Sequence, residues 1–107
     1  MYKGFPNVIL VGAMPVRVQI LNEIADGDRW GDFDCVKYLI RLDNTVPSAA
    51  KAIEVVIHEI LHSIYRFADM QKWDDEERVV STFATWLAMV LIHNPMSVRW
   101  LTNATKS

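Results

Sequence analysis

Residues 55–65, VVIHEILHSIY, set two imidazoles and a carboxylate, His58, Glu59 and His62, inside an otherwise apolar run. Histidines four apart on a helix lie about 6 Å from one another along the axis and about 40° around it. At that offset two ring nitrogens can converge on one tetrahedral ion. Glu59, projecting from the adjacent position, can reach a metal-bound water without ligating the ion itself. The H-E-x-x-H spacing therefore suits a zinc centre at which a carboxylate acts as general base in a hydrolysis. Such a centre needs a third protein ligand, and the acidic cluster at residues 74–77 offers Glu76 or Glu77. The plainer alternative is two surface histidines and an ordinary acidic helix start.

The elements that would position these groups can be read from the surrounding pattern. Ser48 is suited to cap a helix, and Ile53, Ile57, Ile60, Ile64 and Phe67, with Val56 and Leu61, follow a helical 3–4 spacing to about residue 70. On that wheel His58 and His62 fall away from the centre of the isoleucine ridge. MQKWDD is a connection. Asp74, Asp75, Glu76 and Glu77 then crowd the first turn of a second helix, where the macrodipole favours negative charge, and Val79, Val80, Phe83, Ala84, Leu87, Val90 and Leu91 carry it to Asn94 and Pro95. MSVRWLTN predicts a short third helix. Upstream the pattern is β-like: NVILVGAMPVRVQIL is broken at Gly12 and Pro15, and FDCVKYLIRLDN alternates Val36, Tyr38, Ile40 and Leu42 against Lys37, Leu39, Arg41 and Asp43. ADGDRWGD between them reads as a turn. The expectation is one α+β domain over residues 1–107, a small antiparallel sheet of two or three strands packed on a helical hairpin that carries the metal site.

Composition narrows the function classes. Eleven Lys and Arg against 13 Asp and Glu are spread along the chain, so no basic field exists to hold a phosphate backbone, and nucleic acid is not an expected partner. Cys35 is the single cysteine, which forbids an internal disulfide and suits a reducing compartment. The apolar runs near 8–14 and 83–92 are too short or too interrupted to span a bilayer. A cytoplasmic protein with no membrane partner is the expectation.

VVIHEILHSIY followed by DDEERVVSTFATWLAMVL, with WGDFDCVKYLIRLDNTVPSAAKAIEVVIHE upstream, resembles the gluzincin-type zincin metallopeptidases, in particular the small phage and bacterial proteins related to the ImmA/IrrE family. The likeness covers about residues 30–95. It implies a zinc metallopeptidase in which His58 and His62 are ligands and Glu59 is the general base. A glutamate of the second helix would be the third ligand. The helical wheel alone favours Glu76, which points near the Val80–Phe83–Leu87 stripe; the resemblance implies Glu77. It also implies an extended substrate lying along an edge strand near residues 30–36. Trp30, Trp73, Trp86 and Trp100 read as packing residues, although Trp30, beside the Gly-Asp strand, could line a substrate cleft. Tyr65, one turn after His62, is the nearest candidate to steady an oxyanion, its commoner role being a ring in the core with its hydroxyl at the surface. His93 reads as a cation at a helix C-terminus.

Two function classes follow. One is a zinc-dependent endopeptidase acting on a specific protein or peptide substrate; the other is a non-catalytic zinc-binding or helical interaction module. Glu59 favours the first, because a purely structural site has no use for a non-ligating carboxylate at that position.

Overall fold

The computed structural model describes residues 1–24 and 29–105. Four strands, β1 (Val8–Val11), β2 (Met14–Leu21), β3 (Gly31–Asp34) and β4 (Leu39–Asp43), precede α1 (Ala49–Phe67), a single 3₁₀ turn at Met70–Lys72, α2 (Glu76–His93) and α3 (Pro95–Asn103). The α+β class is as the sequence predicts, but the sheet has four strands in the order β1-β2-β4-β3 and is mixed. β1 with β2 and β3 with β4 are antiparallel hairpins, whereas β2 and β4 run parallel, with Val18 opposite Ile40 and Ile20 opposite Leu42. The parallel pair arises because the chain passes β4's position after β2, forms β3 at the edge, and returns into the gap. Residues 25–28 of the expected turn lie outside the described residues; Gly31 and Asp32 at its end belong to β3.

Two details of the strand reading change. Pro15 does not break the first strand pair; it lies inside β2 opposite Leu10. Leu10 turns its backbone N–H and C=O away from β2 to the Asn94 side chain, both at 2.8 Å, and β4 pairs with β2 only from Arg17 onward. The donor that proline lacks has no ladder partner there to lose. The second strand is likewise not continuous from Phe33 to Asp43. Asp34 Oδ1 accepts from the N–H groups of Val36 (2.9 Å) and Lys37 (3.0 Å), and this side-chain capture ends β3 in a turn. Tyr38 sits at φ 52, and Val36, expected to share a face with Ile40 and Leu42, is 87% exposed.

α1 begins where Ser48 Oγ accepts from Lys51 N at 3.1 Å. Its buried line runs through Ala52, Val55, Val56, Glu59, Ile60, Ser63 and Ile64, packed on Ile9, Val11, Val16, Ile40 and Leu42 of the sheet. The expected isoleucine ridge is thus rotated, with Ile57 41% exposed. α1 is apolar over more than half its circumference, so spacing alone does not choose the face. Asp75 caps α2 through Arg78 N (3.3 Å), and Arg78 lies over the Trp73 ring at 4.0 Å. α2 stops at Asn94, buried and bonded to both backbone groups of Leu10 and to Val90 O, and Pro95 opens α3. Among the described residues no single helix is long and apolar enough to cross a membrane.

Candidate metal centre and cleft

One rotation of α1 decides the character of the three motif residues. Position 59 falls on the line against the sheet, so Glu59 is only 5% exposed. His58 and His62, off that line, stand at the rim. Their Nε2 atoms are 3.0 Å apart and their rings meet edge to face at 4.7 Å between centroids. Two nitrogens bound to one tetrahedral zinc at ~2.0–2.1 Å would stand about 3.3 Å from each other. The pair therefore already lies close to the spacing of two tetrahedral ligands.

Glu59 is held where its proton is easily kept. Burial pushes its carboxyl above the ordinary value; His58 draws it back, Asp32 raises it and Arg29 lowers it. Asp32 is itself forked onto Arg41 across the β3–β4 pair. Partial loss of hydration, with His58 and Arg66 nearby, holds the His62 imidazole below its ordinary value, which favours the neutral ring that a metal requires. β3 can lie this close to the helix because Gly31 has no side chain. A Cβ there would stand 3.3 Å from Glu59 Cγ and 2.8 Å from Val55 Cγ1.

Three hollows meet around the histidines. One of about 440 Å³ is lined by Arg29, Asp32, Cys35, Glu59, Arg66 and both histidines among others. A second, about 270 Å³, continues past Trp30, Gly31, Lys51 and Val55. On the opposite flank of the pair an apolar notch is formed by Leu61, Tyr65 and Phe83. Trp30 lines the second of these hollows, and Tyr65 stands at the notch, 37% exposed. Leu61 and Arg66, three and four residues beyond the histidines, were findable from helical spacing. Arg29 and Cys35 join through the β3–β4 topology, which no local pattern announces.

The acidic cluster is placed less closely. Glu77 Oε1 accepts from Ser81 Oγ at 3.2 Å on the exposed side of α2. Glu76 lies seven residues before Phe83, hence on the ridge that reaches the histidine wall. Among the described residues no group of three His, Cys, Asp or Glu side chains is placed to hold a metal ion; His58, Glu59 and His62 line one hollow, and neither Glu76 nor Glu77 lines it. His93 is exposed in the last turn of α2. Comparison with protein-family models, with curated proteins and with solved structures gives no match to this chain.

Proposed function

We propose that this chain is a zinc-dependent peptidase that cleaves a protein or peptide laid along β3. The observation that carries the reading is the His58–His62 nitrogen pair at 3.0 Å beside the buried carboxylate of Glu59 in one cleft. His58 and His62 would hold the ion with a glutamate of α2. Glu77 is favoured by the family likeness, while the ridge shared with Phe83 supports Glu76. Bound zinc supplies a Lewis acid for the substrate carbonyl and lowers the pKa of water. The protein supplies the proton handling. Glu59, with its raised proton affinity and its place inside the cleft, takes a proton from the attacking water and delivers it to the leaving amine. β3 supports substrate placement, because it is an edge strand with α1 behind it and can pair with an extended peptide.

One observation favours the interaction-module reading. α2 carries no charged residue from 79 to 92, and several of its apolar side chains face outward. The test separates the two. Metal-free protein is titrated with zinc, and wild type and Glu59→Gln are compared for zinc affinity and for cleavage of a proteome-derived peptide library by mass spectrometry. The peptidase reading expects one zinc per chain, sharply weaker binding in His58→Ala, and Glu59→Gln that keeps zinc but loses about 10²–10⁴ in rate. Stoichiometric zinc with no cleavage by wild type assigns the site to a module, and no zinc binding removes the metal reading altogether.

A further inference from the structure

The charges lining the cleft do not cancel evenly along it. Beside Trp30, Lys51 Nζ is paired with Glu54 Oε1 at 3.3 Å. Asp32 is forked onto Arg41, and Asp34 Oδ1 accepts from the N–H groups of Val36 and Lys37. Arg29 acts on Glu59 where the two polar hollows join. Arg66 differs from all of these. It is exposed, it lines the larger hollow together with both histidines, and among the described residues its guanidinium makes no hydrogen bond or ion pair. Asp69, the carboxylate three residues on, is held by Lys72 Nζ (2.9 Å) and Gln71 Nε2 (2.7 Å). A cation in the last turn of α1 suits the helix dipole, but one on any side of that turn would serve it, and this one lines the hollow and is felt by His62 one turn before.

β3 and α1 run alongside each other in the same direction. Gly31 lies against Val55 and Glu59, and further on the Phe33 ring meets Phe67 edge to face at 5.7 Å. A peptide paired along β3 therefore passes both the histidine pair and Arg66. From this we infer that the cleft takes an acidic peptide, with Arg66 gripping an Asp or Glu side chain to one side of the residues that lie over His58 and His62. The midpoint of the histidine pair is level with residue 60 of α1, and the Cα of Arg66 is six residues further along, about 9 Å. Extended chain rises ~3.3 Å per residue. The acidic side chain thus belongs two or three residues from the point over the histidines. A guanidinium presents a planar fork that matches a carboxylate with two parallel hydrogen bonds. An incoming carboxylate also relieves the repulsion between Arg66 and any positive charge, proton or ion, held by the histidines; a neutral or basic side chain does not. The inference rests on the peptidase reading only in laying the peptide along β3.

The exposure of Arg66 sets the size of the effect. An ion pair in contact with water discriminates by about fivefold at most, and salt screens it.

The test is selection from a library of randomised decapeptides on Glu59→Gln protein with zinc present, at about 0.05 M and about 0.5 M salt. Asp and Glu should be enriched over Asn and Gln by about fivefold at one position, and the enrichment should shrink at the higher salt, a readout that needs no further variant. Arg66→Ala in the same background should lose the enrichment, Arg66→Lys should keep part of it, and Arg66→Glu should turn it toward Lys and Arg. Arg99→Ala, on α3 away from the cleft, should select as the parent does. A selection without acidic preference overturns the inference, as does a preference that Arg66→Ala leaves intact. Wild type with zinc is then given the same library. Cleavage without acidic preference overturns the inference and leaves the peptidase reading standing, whereas acidic selection lost in Arg66→Ala but unaccompanied by cleavage keeps the inference and removes the peptidase.

Discussion

Gly31→Ala probes the contact on which the cleft depends. A methyl at residue 31 would meet Val55 Cγ1 at 2.8 Å, Arg41 O at 3.2 Å and Glu59 Cγ at 3.3 Å. None of the three yields easily. Val55 is β-branched on a helix and has one strongly preferred rotamer, Arg41 O is backbone of β4, and Glu59 is enclosed. The strand must lift from α1, and overpacking of this kind costs about 1–3 kcal/mol. Loss of glycine's freedom in the unfolded chain returns about 0.4–1 kcal/mol, leaving a net destabilisation of about 1–2 kcal/mol. With an unfolding entropy of about 2.1 cal/mol/K per residue over 107 residues, the melting temperature should fall by about 4–9 °C. Calorimetry reads this directly. Gly4→Ala is the contrast: Gly4 has φ +82 but open space around its Cβ, so it reports backbone strain without a clash. A Gly31→Ala protein that melts at or above the wild-type temperature would show that β3 does not press on α1 beside Glu59, and the cleft drawn from that contact would go with it.

The remaining predictions address the third ligand and acid stability. Glu77→Gln should weaken zinc binding while Glu76→Gln leaves it near wild type, as the family likeness implies; calorimetric titration giving the opposite order would move the ligand to Glu76 and leave the histidine pair in place. Asp43 is buried, which raises its carboxyl. Hydrogen bonds from the Thr45 hydroxyl, Thr45 N–H and Ile24 N–H outweigh that burial and hold it below its ordinary value of 3.8. A depressed acid stabilises the fold above its unfolded pKa and stops doing so as pH falls through the folded one. Asp43→Asn should thus cost about 1–3 kcal/mol at neutral pH, and urea denaturation should show the gap to wild type closing below pH ~4; a gap that is constant with pH would mean the charge is not what matters.

Local chemistry was legible in the sequence and relations between elements were not. Ser48 and Pro95 mark helix ends because each acts on backbone groups within a few residues of itself; Asp75, expected in the first turn of α2, is its cap instead. The parallel β2–β4 pairing is set by where the chain crosses between strands, which no window of residues records. The turn at residues 35–38 was hidden because Val36 and Tyr38 continue the alternation of Ile40 and Leu42. Asp34, which ends the strand by binding two N–H groups, was the signal that outranked it. Asn94 looks in sequence like a helix stop; that it ties β1 to α2 depends on three hydrogen bonds made across the fold. The histidine pair follows from spacing alone, whereas the choice between Glu76 and Glu77 turns on how α2 is rotated against α1.

The rotation of α1 against the sheet explains how one short motif can contain both an enclosed acid and two accessible imidazoles. Adjacent helical positions differ by about 100°. With the line through Ala52, Val56, Glu59 and Ser63 seated on the strands, position 59 points under β3, and positions 58 and 62 emerge together on the flank facing the cleft. Ser63, the next position on the seated line, is fully buried and answers its own hydroxyl by donating to Ile60 O at 2.6 Å. Glu59, one turn earlier, borders the cleft instead of being sealed within the core. Moving the motif one residue toward the C-terminus would seat both histidines, at positions 59 and 63, and the carboxylate, at position 60, on the buried line, leaving no nitrogen donor at the rim. The order histidine, glutamate, then histidine three further on therefore matches this helix only in the register in which it is found, with the proton-holding group inside and the nitrogen donors at the rim.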